Sequence, residues 1–390
     1  MHVVSLQLSD FRNYRHAEVD LGPGCSVLVG ANGQGKTNLV EAVGFAAALR
    51  SHRVATDAPL VRIGSQQAVV RIAATRSGRR ATLELAITPG RGVRARLNGS
   101  PLPRARDALG LVRAVTFAPE DLALVKGDPV VRRDFLDELL VQRQPRWAGV
   151  LADFDRVLRQ RAALLRGVAK RGGRPQPGDI VTLEVWDGQL AQYGGQVWWA
   201  RQDLLRALAG PFRDAYRHLA GQDAATSLAY RSSASAVLAA DSGEASGQPE
   251  HVDQADLQHL LSRALPLRRD EEFRRGINLT GPQRDEMAIG ISGHPAKGFA
   301  SHGESWSLAL ALRLAAYRLL SQEAVDQGDP VLILDDVFAE LDAARRAHLA
   351  EAVAGAEQVL ITAAVAADVP GSLTGSRYRV DSGSISLEGS

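Results

Sequence analysis

Between a short apolar stretch, Ser26-Val27-Leu28-Val29, and an apolar helix expected over about 38–49 stands Gly30-Ala31-Asn32-Gly33-Gln34-Gly35-Lys36-Thr37. The run fits G-x-x-x-x-G-K-[ST], and a strand–loop–helix setting is where that pattern has physical meaning. Glycines let the loop wrap with its N–H groups turned inward, toward phosphate oxygens. A helix starting near Lys36 adds the positive end of its dipole. In such a loop Lys36 neutralises the β- and γ-phosphates and the Thr37 hydroxyl ligates Mg2+. ATP or GTP is therefore the expected ligand, and the fold class is α/β.

A second motif narrows the choice. Val331-Leu332-Ile333-Leu334 ends in Asp335-Asp336, a buried strand carrying carboxylates at its C-terminal end, the Walker B arrangement. Asp335 is placed to hold Mg2+, and Asp336 to polarise an attacking water. Lys36 and Asp335 lie near opposite ends of the 390-residue chain. That separation is too great for a compact Ras-like or RecA-like core and fits an ATPase carrying a large insertion.

A third element, Ser301-His302-Gly303-Glu304, precedes a long apolar helix over 305–320. Ser301 and Glu304 have capping-box spacing, so helix initiation is one explanation. The other is an ABC-type signature loop that meets the γ-phosphate held by a second copy. Its place one helix before the acidic pair favours the second, as does the D-loop-like run Phe338-Ala339-Glu340-Leu341-Asp342 that follows the pair.

The stretch 60–97 reads as β segments with turns at Ser77-Gly78, Pro89-Gly90 and Asn98-Gly99. A helical stretch over 130–220 is interrupted at 171–178, and the Ala/Ser/Gly/Asp-rich segment 232–250 is expected to be a mobile loop. The expected division is 1–129 and 273–390 as two parts of one head, with 130–272 a mainly helical insertion. No apolar run approaches the ~20 residues of a membrane span. Met1-His2-Val3-Val4 lacks the features of a signal peptide. A lone cysteine, Cys25, excludes an internal disulfide or Cys-based metal cluster. A cytoplasmic protein is expected.

With a net charge of only +2, any nucleic-acid binding must come from local basic surfaces. Arg94 and Arg96 alternate on one expected strand face. Arg156, Arg159, Arg161, Arg166, Lys170 and Arg171 are further candidates, with a solvated face paired to Asp153 and Asp155 as the alternative. Trp186, Trp198 and Trp199 suit either base stacking or helical core packing.

Asp10-Phe11-Arg12-Asn13-Tyr14, the loop 30–37 and Phe117-Ala118-Pro119-Glu120-Asp121-Leu122 resemble, in order, the pattern of the RecF family of SMC/ABC-type ATPases. So do Gly127-Asp128-Pro129 with Arg132-Arg133, Gly281-Pro282-Gln283-Arg284-Asp285, 301–304 and 335–342. The resemblance spans essentially the whole chain. It implies an ABC/SMC-type P-loop ATPase head of two lobes with an inserted short helical arm. It adds Arg12 and Asn13 to the nucleotide site and sandwiches ATP between 30–37 of one copy and 301–304 of another in an ATP-dependent homodimer. It also implies binding of single-stranded DNA and its junctions with duplex, work with RecR and RecO to load RecA at gaps, replication restart and SOS induction. A weak, DNA-stimulated ATPase would act as a timer for release.

Three departures stand out: Glu304 for the glutamine usual in ABC-type signature loops, Asp336 for the transporters' glutamate (shared by RecF-like proteins), and Thr362 for their switch histidine; the shorter Asp and the missing histidine point to slow turnover. A transporter ATPase subunit needs that histidine and a standard signature. A chromosome-organising SMC protein needs far longer heptad arms. A DNA-binding protein with a vestigial nucleotide site is the remaining alternative.

Overall fold

The computed structural model describes residues 1–221, 224–243, 253–323 and 328–388. The chain opens with β1 (His2–Phe11), β2 (Tyr14–Asp20), β3 (Gly24–Val29), α1 (Lys36–Ala48), β4 (Ala68–Arg76), β5 (Arg79–Thr88), β6 (Gly92–Leu97), β7 (Ser100–Pro101) and β8 (Ala114–Phe117). Helices α2 (Leu122–Lys126), α3 (Pro129–Arg143), α4 (Trp147–Lys170) and α5 (Pro177–Ala220) follow. Next come β9 (Thr226–Arg231), α6 (Ser233–Ser242), α7 (Gln254–Leu267), α8 (Arg269–Arg275), β10 (Glu286–Ile291), β11 (His294–Pro295) and α9 (Ala296–Phe299). The chain closes with α10 (His302–Glu323), β12 (Val331–Asp335), α11 (Ala343–Val353), β13 (Gln358–Ala363), β14 (Gly375–Asp381) and β15 (Ser384–Leu387).

Two compact units emerge: Met1–Val125, Pro211–Ala224 and Ala300–Ser390 form the first, and Lys126–Gly210 with Ala225–Phe299 the second. These bounds do not coincide with 1–129, 130–272 and 273–390. The physical reason is strand pairing: β10 hydrogen-bonds to β9, which ties 286–291 to the second unit.

The first unit holds two sheets. One is antiparallel, ordered β2-β1-β4-β5-β6-β7; the other is ordered β15-β14-β3-β13-β12-β8, with β14, β3, β13, β12 and β8 parallel. Every residue of β12 and β13 is buried, as strands inside a parallel sheet are, the polar Asp335, Gln358 and Thr362 included. Strand β5 instead alternates, burying Leu83, Leu85 and Ile87 and leaving Thr82, Glu84, Ala86 and Thr88 on its other face half-buried. Helix α1 packs against β8, β12 and β13 and against β4. Contact on two sides explains why Leu39, Val40, Ala42, Val43, Phe45, Ala46 and Ala47 are all buried.

The second unit is mainly helical, with a three-stranded sheet β11-β10-β9. It buries an ionic cluster as well as an apolar one of Leu165, Val168, Leu183 and Phe273. Arg161 is fully buried, donating to Asp187 at 2.7 Å, Asn278 at 2.8 Å and Glu272 at 2.6 Å. The Gly-Pro-x-Arg-Asp block is similarly architectural. Asp285 accepts from the Tyr230 hydroxyl at 2.7 Å and from the Ser233 amide and hydroxyl at 2.7 and 2.8 Å. Burial pushes its carboxyl above the ordinary range, against the pull of those donors.

The expected loop over 232–250 is corrected in part. Residues 233–242 form α6, started by the Ser232 hydroxyl accepting the Ser235 amide and closed by Gly243 at φ 74°. The rest of that segment, from 244, lies outside the described residues.

Candidate nucleotide-binding site

The loop 30–37 joins β3 to α1 in the first unit, and its glycines answer to space as well as to conformation. A Cβ on Gly30 would fall on the Val380 carbonyl. Gly35 sits at φ 114°, where a Cβ would come within 2.6 Å of the Tyr14 hydroxyl and 2.7 Å of Asn13 Nδ2. Asn13 Nδ2 donates to the Gln34 carbonyl at 3.1 Å and its Oδ1 accepts from Asn38 at 2.8 Å. Gln34 Oε1 accepts the Ser382 amide at 2.6 Å. Lys36 is buried and donates to the Ala31 carbonyl at 3.2 Å, while Ala31, Asn32 and Gly33 are exposed. Helix α1 has no side-chain cap and no acid in its first turn. Uncapped N–H groups beside a lysine suit an anion.

Asp335, at the end of β12, is 3% exposed. Thr37 Oγ1 donates to its Oδ1 at 2.8 Å and Thr362 Oγ1 donates to the same oxygen at 2.6 Å. Burial raises its pKa, the two hydroxyls oppose the rise, and neighbouring Asp336 adds to it. Asp336 is half-buried, in left-handed backbone at φ 51°, with its amide donating to Thr362 Oγ1 at 2.9 Å. Thr37 and Asp335 thus offer adjacent hard oxygens, the donor set of Mg2+, which takes one or two protein ligands and completes its shell with phosphates and water.

Arg12 is committed elsewhere: its guanidinium grips Glu41 of α1 at 2.8 and 2.5 Å. Ser51 Oγ donates to Glu41 at 2.5 Å, and Arg53 reaches it at 3.2 Å and Asn38 at 2.9 Å. Burial alone would raise the Glu41 pKa; these donors outweigh it and hold the carboxyl below its ordinary range. The clasp fixes segment 51–53 one helical turn from Thr37. His52 follows Ser51 there, with a buried Nε2 that has no hydrogen-bond partner among the described residues.

Residues 301–304 form the capping box that the spacing implies: Ser301 N donates to Glu304 Oε2 at 2.7 Å and Glu304 N to Ser301 Oγ at 3.2 Å. Ser301 and His302 are exposed; Gly303 and Glu304 are half-buried. Glu340 and Asp342 are exposed, and Asp342 caps α11 by accepting the Arg345 amide at 2.9 Å.

Among the basic candidates, Arg94 and Arg96 are exposed on one face of β6 with Ala95 buried between them, beside a groove also lined by Gln67, Glu84 and Pro101. Arg156 pairs with Asp153 at 3.1 Å and Arg159 with Asp155 at 2.7 Å, both on the exposed face of α4. Arg161 is corrected: it is a buried ion-pair centre with no surface to offer. Trp198 is fully buried, while Trp186 and Trp199 are half-buried.

Reading the sequence misses Glu41, Ser51, His52, Arg53 and the hydroxyl role of Thr362. Glu41 alone leaves a signal, as the single acid of α1, set in its apolar stretch from Leu39 to Ala48. The others depend on long-range packing.

The model of the RecF/RecN/SMC N terminal domain matches residues 2–370. The DNA replication and repair protein RecF of Frankia alni is 54% identical over 387 residues, covering 99% of each chain. That of Kineococcus radiotolerans is 55% identical over 394 residues, covering 98% of each. The solved structure of the recombination mediator protein RecF-ATP in the RecFOR pathway superposes with a TM-score of 0.86 at 24% identity, covering 100% of this chain and 98% of that one. A Smc head domain from Pyrococcus furiosus gives 0.53 at 15%, covering 99% and 96%; both show the shared ATPase-head fold. On the strength of the sequence matches, this chain belongs to the RecF family.

Proposed function

We propose that this chain is an ATP-switched DNA-binding protein of recombinational repair and replication restart. The observation that carries the reading is the 2.8 Å bond from Thr37 to Asp335, which joins a phosphate-loop helix to a carboxylate-bearing strand from the far end of the chain. The N–H groups of 30–37 and Lys36 bind the triphosphate, with Asn13 bracing the loop through Gln34. Thr37 and Asp335 hold Mg2+, which when bound supplies charge neutralisation at the phosphates. Asp336 orients water and accepts its proton. Thr362 keeps Asp335 and Asp336 in register by bonding to both. Arg12 acts indirectly, through Glu41.

In this reading residues 301–304 and the loop bearing Glu340 and Asp342 close over the nucleotide of a second copy, so ATP makes the homodimer and slow hydrolysis releases it. Residues 130–272 supply most of the helical arm. Arg94 and Arg96 contact DNA phosphates, with Arg156 and Arg159 as secondary contacts once freed from their carboxylates. The preferred substrate is single-stranded DNA and its junctions with duplex, and the partners are RecR and RecO in loading RecA, with SOS induction downstream. The protein works in the cytoplasm; among the described residues no helix is long and apolar enough to cross a membrane.

Sedimentation with ATP, ADP or no nucleotide, with and without gapped DNA, tests the scheme. Dimers should form with ATP and Mg2+ and vanish in Lys36→Arg or Asp335→Asn. Unaltered dimerisation and DNA retention in both variants would reduce the site to an ornament.

A further inference from the structure

One guanidinium joins two segments of this chain that sequence reading assigns to a dimer interface. Arg345 lies in the first turn of α11, and its side chain turns back toward the start of that helix. Its Nη1 forms an ion pair with Asp342, the residue that also caps its amide. Its Nε donates at 3.0 Å to Oγ of Ser307, a fully buried serine of α10. The guanidinium then lies against Gly303: a Cβ there would stand 2.8 Å from Nη2, 3.1 Å from Nη1 and 3.2 Å from Cζ.

Gly303 is not among the glycines with positive φ, so its backbone does not demand glycine. Close approach does: a methyl group at this position would occupy the arginine's place. The displaced atoms are the far end of a flexible side chain, so Gly303→Ala breaks the contact without breaking the helix. The contact also carries charge, since Arg345 helps the Ser301 hydrogen bonds hold the Glu304 carboxyl below its ordinary range.

We infer that Arg345 is a positioning residue that bolts the loop bearing Glu340 and Asp342 to the helix tip bearing Ser301 and Glu304. The two then present themselves to a second copy's nucleotide as one rigid piece. Lysine cannot replace it, because a single ammonium does not span Asp342, Ser307 and the face of Gly303 together. The inference rests on the proposed ATP-dependent dimer, and its test separates the two.

Hydrogen exchange on the isolated monomer reads the bolt directly. Arg345→Ala should speed exchange at 301–304, and Gly303→Ala should speed it at 340–342, a segment remote in sequence. Sedimentation with Mg2+ and a non-hydrolysable ATP analogue reads the consequence: each single variant should weaken dimerisation by about tenfold, a usual size for coupling between sites. Fluorescence anisotropy of a labelled analogue should show unchanged affinity in the monomer. The double variant should be no worse than Arg345→Ala, since one contact can be lost only once, and Arg345→Lys should not rescue. Unchanged exchange, wild-type dimerisation in the single variants, or additive defects would each overturn the inference. A wild-type protein that stays monomeric with the analogue would instead bring down the dimer reading, whatever the exchange data show.

Discussion

Replacing Thr362 with valine removes one hydroxyl and almost no volume, so its effects trace to hydrogen bonds. That hydroxyl donates to Asp335 at 2.6 Å and accepts the Asp336 amide at 2.9 Å. A bond to a charged, buried carboxylate is worth ~1.5–3 kcal/mol, and an amide left without its partner costs about 1 kcal/mol. Thr37 still donates to the same oxygen, so the lower part of the range applies, and Thr362→Val should cost roughly 2–3 kcal/mol at neutral pH. In a folding unit of 150–250 residues, each kcal/mol moves Tm by ~2–4 °C, which gives a drop of roughly 5–10 °C.

The pH dependence sharpens the test. Burial raises the Asp335 pKa, so the folded state binds that proton more tightly than the unfolded chain does. Stability of the nucleotide-free protein therefore falls as pH climbs from the ordinary aspartate value through the raised native one. Removing the Thr362 hydroxyl raises the native value further and widens that window. At a pH where Asp335 is protonated in both states, the charge-dependent part of the loss disappears and a gap of about 1 kcal/mol remains. Differential scanning fluorimetry across pH 3.5–7.5 on wild type, Thr362→Val and Thr362→Ser reads this, with serine near wild type. A valine variant as stable as wild type at neutral pH, or a deficit that does not vary with pH, would refute the reasoning.

Glu41→Gln should destabilise the first unit and loosen segment 51–53, seen as faster hydrogen exchange there. Because the native pKa of Glu41 is depressed, its contribution is present above the unfolded value and lost as pH falls through the native one, so the gap between wild type and variant should close in acid. Charge reversal at Arg94 and Arg96 should weaken DNA binding and flatten its salt dependence with nucleotide affinity unchanged; fluorescence anisotropy at several salt concentrations decides it, and unaltered binding removes β6 from the interface. Arg161→Ala strands the buried carboxylate of Glu272 and leaves Asp187 only Arg269, and should cost about 3–5 kcal/mol in the second unit, since breaking a buried pair leaves charge uncompensated. Limited proteolysis would show cleavage concentrated in α4, α5 and α8.

The contrast between Arg161 and its neighbours shows what the sequence holds and where it stops. Phe154, Val157, Arg161, Leu165 and Val168 are all buried and recur at the three-to-four-residue spacing of one helix face. Periodicity alone puts Arg161 inside, and only its residue type suggests a surface. Arg156 and Arg159 fall off that stripe and meet carboxylates within one turn, a pairing legible from spacing. Strands β3, β12 and β13 are legible for the same kind of reason, from the short apolar runs Val27-Leu28-Val29, Val331-Leu332-Ile333-Leu334 and Val359-Leu360-Ile361 at their centres. The capping box was legible as well, being a local bond between neighbours in sequence.

What the sequence conceals is which distant group satisfies a buried charge. The partners of Arg161 lie on α5, on α8 and just beyond α8, and those of Glu41 on both sides of it in sequence. No local pattern encodes such pairings, since they exist only once the chain has packed. The same holds for Thr362, which reads from sequence only as the absence of a transporter's switch histidine. In the structure its hydroxyl donates to the Asp335 carboxylate and accepts the Asp336 amide. A departure from a family pattern is thus weak ground for inferring a lost role, because a different side chain at that position can serve the same carboxylates by another bond.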